Sequence, residues 1–181
     1  MKRFFYILLF SPIFCFGQSN WTQQGPNING EALEDESGIS VGINSLGNRI
    51  AIGGYKNDGN GSNSGHVRIY EEIGGNWIQI GADIDGETMS DKFGKSVDLN
   101  SAGDRVVVGA WFAASASLPI GSGQISCYEF TNGSWNQLGN YINGEATFDY
   151  FGISSAINAS GNMIAGVVYY NDGINGYNSG H

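Results

Sequence analysis

The stretch WIQIGADIDGETMSDKFGKSVDLNSAG, residues 77–103, decides the fold because the chain contains it in three related copies. The other two are WTQQGPNINGEALEDESGISVGINSLG at 21–47 and WNQLGNYINGEATFDYFGISSAINASG at 135–161. The copies align over 27 columns without a gap, and eleven columns are identical in all three. Since the repeats start at Trp21, Trp77 and Trp135, 56 and 58 residues apart, the sequence predicts one unit used repeatedly.

Each unit predicts four short strands joined by glycine-rich turns. Ile39, Val41 and Ile43 alternate with small or polar residues, which is the period of a half-buried strand. The other strands of the first unit are predicted at 49–55, 66–71 and 77–81. The apolar run VVVGA at 106–110 is typical of a strand buried on both faces. Helical periodicity is absent after the first segment, so we expect an all-β protein.

Four antiparallel strands recurring at this period are typical of a β-propeller, in which neighbouring blades cover the faces that one sheet leaves exposed. We predict a partial propeller of four-stranded antiparallel blades over 18–181, with about two and a half repeats. The third repeat stops at His181, whose equivalent His66 leads into a strand. A closed propeller needs four to eight blades. We therefore expect a truncated third repeat with the remaining blades missing from this chain; closure by oligomerisation is the alternative.

Three motifs of the second repeat resemble the FG-GAP repeat, the blade unit of the integrin α-chain propeller and of many secreted bacterial proteins. They are FGKSV at 93–97, VVVGAW at 106–111 and GQISCY at 123–128. The string NDGNGSNSGHVRIYE at 57–71 is similar to the variant common in exported proteins of the Bacteroidetes type. The resemblance covers essentially residues 20–181. Two positions depart from it: Ser37 replaces the phenylalanine in the first copy, and Trp111 or Gly54 replaces the usual proline.

The N-terminal segment predicts export. Lys2 and Arg3 precede an almost wholly apolar run at 4–16, followed by Gly17 and a polar segment. This run is too short to span a bilayer. We predict a signal peptide over 1–17, cleaved near Gly17, and a secreted or cell-surface protein. A buried N-terminal helix or strand is the alternative.

Composition excludes some classes of protein. Eight Lys and Arg side chains oppose 17 Asp and Glu, a net charge of −9, so we expect no nucleic-acid partner. Hydrophobic residues make up 41%, enough for a packed core and against wholesale disorder. Signal cleavage leaves Cys127 as the single cysteine, which excludes an internal disulfide.

The resemblance implies one place to look for calcium, the loop between the first two strands, because Ca²⁺ takes six to eight oxygen ligands. The second copy offers Asp98, Asn100 and Asp104, but Ala102 stands where a further carboxylate belongs. The other copies hold fewer carboxylates. We therefore expect a plain hairpin, with no metal and no other cofactor.

Two sets of carboxylates recur in the loop before the first strand: Glu31, Glu87 and Glu145, and Asp35, Asp91 and Asp149. They are open to two interpretations, a cation site in each blade or acceptors for loop N–H groups. A role repeated in every blade favours the second. The loop at 57–65 could also bind a cation through Asp58 and asparagine carbonyls, but we expect it to be a solvated loop.

The remaining candidate residues are interpreted as structural. His66 and His181 occupy equivalent places in separate repeats and are not expected to form a dyad or a metal site. Cys127 aligns with Ile69 and is expected in the core, since a catalytic cysteine would need a histidine partner. The repeated tryptophans either stack sugars, as in lectin propellers, or serve the packing of the blades, which their recurrence favours.

These observations predict a non-enzymatic secreted or cell-surface module for protein binding or adhesion, with no catalytic residues and no membrane span. Its expected partner is an extracellular protein or glycan. One alternative is a carbohydrate-binding propeller attached to a polysaccharide-degrading enzyme. Another is a hydrolase or lyase whose catalytic residues lie in further blades. The step from fold to function is an analogy.

Overall fold

The structure, a computed structural model, describes residues 21–114 and 120–170. Over these residues the fold is all-β, as expected, and the strands pair antiparallel within each sheet. No helix in this part of the chain is long and apolar enough to cross a membrane. The expected signal peptide at 1–17 and His181 both lie outside the described residues.

The first repeat forms one five-stranded sheet in which the first four strands are neighbours in chain order. Its strands are β1 (Ser40–Ile43), β2 (Arg49–Gly54), β3 (His66–Ile73), β4 (Asn76–Gln79) and β5 (Ile84–Asp85). Both β4 and β5 pair with β3, so the predicted fourth strand exists but is interrupted between Gln79 and Ile84. The four predicted strands of this unit are therefore confirmed.

The second repeat has the same topology, and the third shows its first two strands. The second sheet contains β6 (Phe93–Leu99), β7 (Arg105–Ala110), β8 (Gln124–Thr131), β9 (Ser134–Gln137) and β10 (Ile142–Asn143). A hairpin of β11 (Ser154–Ile157) and β12 (Ile164–Val167) follows. Residues 106–110 of β7 are all buried, as the apolar run predicted. The sequence repeat is therefore a structural repeat.

The core lies between the sheets, which pack face to face. Ala51, Val67 and Ile69 of the first sheet pack against Val97 and Val108 of the second. The other face of the second sheet packs on the third repeat. That cluster contains Val107, Ile125, Cys127, Phe151 and Ile157. Cys127 is thus a core residue, as its alignment with Ile69 predicted.

The apolar residues of β1 are not half-buried, and this expectation was wrong. Val41 and Ile43 are 68% and 61% exposed, whereas their equivalents Val97 and Leu99 are 7% and 5% exposed. The cause is the stacking order. The second sheet turns this face toward the first sheet, and no described residue covers the same face of the first.

In the first two repeats, a glycine on the second strand lies against the backbone of the next repeat. A Cβ atom at Gly53 would overlap the carbonyl oxygen of Gly94, and one at Gly109 would overlap that of Gly152. The same two carbonyls accept hydrogen bonds from Ser40 Oγ at 2.8 Å and from Ser96 Oγ at 2.9 Å. Glycine recurs on the second strand and serine on the first strand because the backbones of neighbouring sheets are in contact there.

Trp77 and Trp135 lie on the last strands, β4 and β9, at the side of the sheets away from these glycines. Trp77 Nε1 donates to the carbonyl of Gln24, and Trp135 Nε1 to that of Ile80, both at 2.9 Å. Trp135 also packs against the first core cluster. The predicted packing role is confirmed for these two. It is wrong for Trp21, which is 99% exposed.

Candidate functional site

The repeated aspartates fix the loop before the first strand of each repeat. Asp35, Asp91 and Asp149 accept the backbone N–H three residues upstream at 3.0, 2.8 and 2.8 Å. All three are buried. Burial raises the pKa of Asp91 above its ordinary value although Thr88 donates hydrogen bonds to it. The architectural interpretation of these aspartates is confirmed.

The repeated glutamates behave differently, since no hydrogen bond from a loop N–H to Glu31, Glu87 or Glu145 is present among the described residues, against expectation. Glu87 accepts a hydrogen bond from the Tyr141 hydroxyl at 2.6 Å. Glu31 lies beside the side chains of His66 and Arg68. Glu145 is exposed. The glutamate at this position therefore has different neighbours in each repeat.

The hairpin from Asp98 to Asp104 uses its polar groups within the fold. Asn100 Oδ1 accepts the N–H groups of Asp104 and Arg105 at 3.1 and 3.0 Å. Asp98 Oδ2 accepts the N–H of Ile157 in the third repeat at 3.0 Å. The predicted hairpin turn is present between β6 and β7, and Asp98 ties neighbouring repeats together.

The loop at 57–65 is internally bonded rather than simply solvated. Asp58 Oδ1 accepts the N–H of Asn63 at 2.7 Å. Asn57 is buried, and its amide donates to Asp35 Oδ2 at 3.1 Å. This loop is therefore joined to the repeated aspartate of its own repeat.

His66 is fully buried and lies next to two carboxylates. Its Nδ1 is 3.3 Å from Asp83 Oδ2 and 3.6 Å from Glu31 Oε2. Within 21–114 and 120–170, these three residues form the single group of three or more His, Cys, Asp or Glu close enough to share a metal ion. We call it the His66 cluster. Sequence reasoning missed Asp83 because its repeat equivalents are Asn27 and Tyr141.

Cys127 offers no nucleophile. Its thiol is buried in the second core cluster, and burial raises its pKa, which keeps the thiol protonated. Cys127 is therefore too buried to serve as a reactive thiol.

A group of aromatic side chains lies at the end of the sheets where second strands end and first strands begin. We call it the aromatic patch; its members are Trp111, Phe112, Phe148, Tyr150, Tyr169 and Tyr170. Phe148, Tyr169 and Tyr170 are 50%, 54% and 41% exposed. Exposed apolar groups gathered in this way mark interaction surfaces on folded proteins.

Tyr150 holds the patch together. Its ring centroid lies 4.9 Å from that of Trp111 and 5.5 Å from that of Tyr170, both in edge-to-face geometry. Such pairs favour a defined arrangement of rings. The ammonium group of Lys92 lies 4.9 Å from the Trp111 ring centroid and 5.0 Å from that of Phe112. The patch thus combines rigid rings with one positive charge.

The equivalent loops of the first repeat carry different chemistry. Tyr55 and Lys56 correspond to Trp111 and Phe112, and Glu36 corresponds to Lys92. There Lys56 forms an ion pair with Glu36 at 2.5 Å. The strands and turns are common to the repeats, whereas the side chains exposed on these loops are not. The aromatic patch therefore belongs to the second and third repeats and not to the fold in general.

Sequence reasoning missed the aromatic patch. Its members are up to 59 residues apart, and they fall in columns where the repeats differ. The available signal was the clustering of Phe148, Tyr150, Tyr169 and Tyr170 beside the predicted strand ends of the third repeat.

Comparison with models of protein families and with curated proteins found no match to this chain.

Proposed function

We propose that this chain is a non-enzymatic secreted or cell-surface module for protein binding or adhesion, built as part of an FG-GAP-like propeller. The aromatic patch carries the proposal. Aromatic residues are enriched at protein interfaces and supply most of the binding energy where they are well packed. Export rests on the signal-like residues 1–17.

The packing between repeats supports the propeller. The first strands of the three repeats contact one another in series, β1 with β6 and β6 with β11. Near these strands only glycine fits between the sheets, at Gly53 and Gly109. Toward the last strand an indole, that of Trp135, occupies the space instead. Sheets that are close on one side and spaced by large side chains on the other fan out around an axis.

The exposed face of the first sheet supports the same arrangement. Val41 and Ile43 stand where Val97 and Leu99 of the next repeat are buried under a neighbouring sheet. A further blade on this face would cover them in the same way.

The patch is tested by a triple variant, Phe148→Ser with Tyr169→Ser and Tyr170→Ser. These side chains are exposed, so the fold should survive their loss. We expect the secreted wild-type protein to bind at least one member of an extracellular-matrix protein panel. The triple variant should bind that partner about thirty-fold more weakly or worse, as expected for loss of aromatic anchors.

Trp21→Ala is the matched control, because Trp21 is an exposed aromatic residue outside the patch. Equal affinity of the triple variant and wild type for the same partner would refute the patch as the binding surface. A glycan array probed in parallel distinguishes the carbohydrate-binding alternative: selective glycan binding that depends on the patch, with no protein partner, would replace adhesion to protein.

A further inference from the structure

We propose that the His66 cluster, Glu31, His66 and Asp83, binds a divalent transition-metal ion such as Zn²⁺. The fold brings these residues together from three segments. His66 opens β3 and lies opposite Asp85 in the β3–β5 pair, so Asp83 reaches the imidazole from just before β5. Glu31 comes from the loop before β1.

The histidine itself points to a missing ligand. Its side chain is 1% exposed, and neither ring nitrogen has a hydrogen-bond partner among the described residues. Buried polar atoms are normally paired, and an unpaired one is costly. Nδ1 faces the two carboxylates at distances of 3.3 and 3.6 Å. Glu31 Oε2 otherwise accepts only a long hydrogen bond from Asn57 Nδ2 at 3.5 Å. A cation between the three groups would satisfy the histidine nitrogen and bind both carboxylates together.

The distances fit a tetrahedral ion. With metal–ligand bonds of about 2.0–2.1 Å, ligand atoms in a tetrahedral site stand about 3.3–3.4 Å apart. Both distances from His66 Nδ1 are close to this value. All three ligand atoms lie within 4.8 Å of one another. The Glu31 side chain is 46% exposed, so a small rotation brings its oxygen into place.

Neighbouring side chains position the ligands and set the charge. Gln79 Nε2 donates to Asp83 Oδ1 at 2.6 Å, which leaves Oδ2 facing the histidine. Arg68 Nη1 lies 3.6 Å from the other oxygen of Glu31. The carboxylates of Glu31, Asp83 and the adjacent Asp85 outnumber this one guanidinium. The excess negative charge favours a cation.

The ligand types select the class of metal. An imidazole with two carboxylates suits zinc and its neighbours, whereas Ca²⁺ requires six to eight oxygens. Three protein ligands leave a fourth position open to water or to a group from a bound partner.

The second repeat shows how the same place is closed without an ion. Its equivalents of Glu31, His66 and Asp83 are Glu87, Gln124 and Tyr141. The Tyr141 hydroxyl donates to Glu87 at 2.6 Å, so this carboxylate is satisfied by a neutral donor. The fold therefore does not require a metal at this position, and the His66 cluster is particular to the first repeat.

This difference supplies the test. The double variant His66→Gln with Asp83→Tyr transplants the residues of the second repeat and should fold. Calorimetric titration of the metal-free full chain with zinc chloride should show one Zn²⁺ per wild-type chain. The double variant should bind it at least about a hundred-fold more weakly. Cobalt loaded into the wild type should give the intense visible absorption of a tetrahedral site.

Glu87→Gln is the matched control, since it removes the equivalent carboxylate of the second repeat and should leave zinc binding unchanged. Absence of stoichiometric zinc binding by the wild type would overturn the proposal, and the His66 cluster would then be a contact between three polar side chains without a metal. Equal zinc affinity of the double variant and the wild type would overturn it as well.

Discussion

Replacing Gly109 with alanine is expected to lower the free energy of unfolding by about 3 kcal/mol or more, because the added methyl group overpacks a closed contact. The new Cβ would overlap the carbonyl oxygen of Gly152, which belongs to the neighbouring repeat. This oxygen also accepts the hydrogen bond from Ser96 Oγ. The new Cβ would also crowd Ser96 Oγ, which can rotate, but the backbone of Gly152 cannot move aside unless the two sheets separate. Urea unfolding followed by tryptophan fluorescence measures the loss.

Gly133→Ala separates this clash from backbone strain. Gly133 lies in the turn between β8 and β9 with a φ of 81°, and a Cβ there meets no atom within 4 Å. Its replacement should cost only about 1–2 kcal/mol, from the left-handed conformation of the new alanine. If Gly109→Ala cost no more than Gly133→Ala, the close approach of the sheets at Gly109 would be wrong.

Trp135→Ala is expected to lower the free energy of unfolding by about 3 kcal/mol, near the lower end for loss of a large core aromatic residue. The indole packs against the first core cluster, lies 5.0 Å from the Phe130 ring centroid and bonds the carbonyl of Ile80. Removing it opens a cavity between two repeats and leaves that carbonyl unpaired. The same unfolding measurement applies.

Trp21→Ala is the control within the same repeat column. Trp21 is almost fully exposed, so its loss should change the free energy of unfolding by less than about 0.5 kcal/mol. Equal effects of the two substitutions would show that position in the repeat, rather than contact between repeats, determines the role of tryptophan.

Much of the fold was predictable because the repeat fixes the alignment of strands and turns. The apolar run at 106–110 predicted a strand buried on both faces, and these residues of β7 are all buried. Burial in the first repeat was not predictable in this way. Val41 has the same alternating pattern as Val97, yet it is exposed because burial depends on the neighbouring sheet and not on the strand itself.

The candidate sites were less predictable for a related reason. Identical columns identified the aspartates that fix loops, such as Asp91, because every repeat needs them. Asp83 and Tyr150 lie in columns that differ between copies, and each becomes informative only beside residues distant in sequence, His66 and Trp111 respectively. Periodicity identifies what the repeats share. The aromatic patch and the His66 cluster are instead formed by what they do not share.

The claim that the sheets fan out around an axis is tested most directly by comparing two distances across the first two repeats. One pair of spin labels replaces Ser45 and Ser101, whose hydroxyls are 2.9 Å apart in the hairpins next to the first strands. The other replaces Asn76 and Ser134, which begin the equivalent last strands β4 and β9. Dipolar electron paramagnetic resonance should give a clearly longer distance for the second pair, above the spacing of about 10 Å between flat stacked sheets. Equal distances for the two pairs would contradict the propeller.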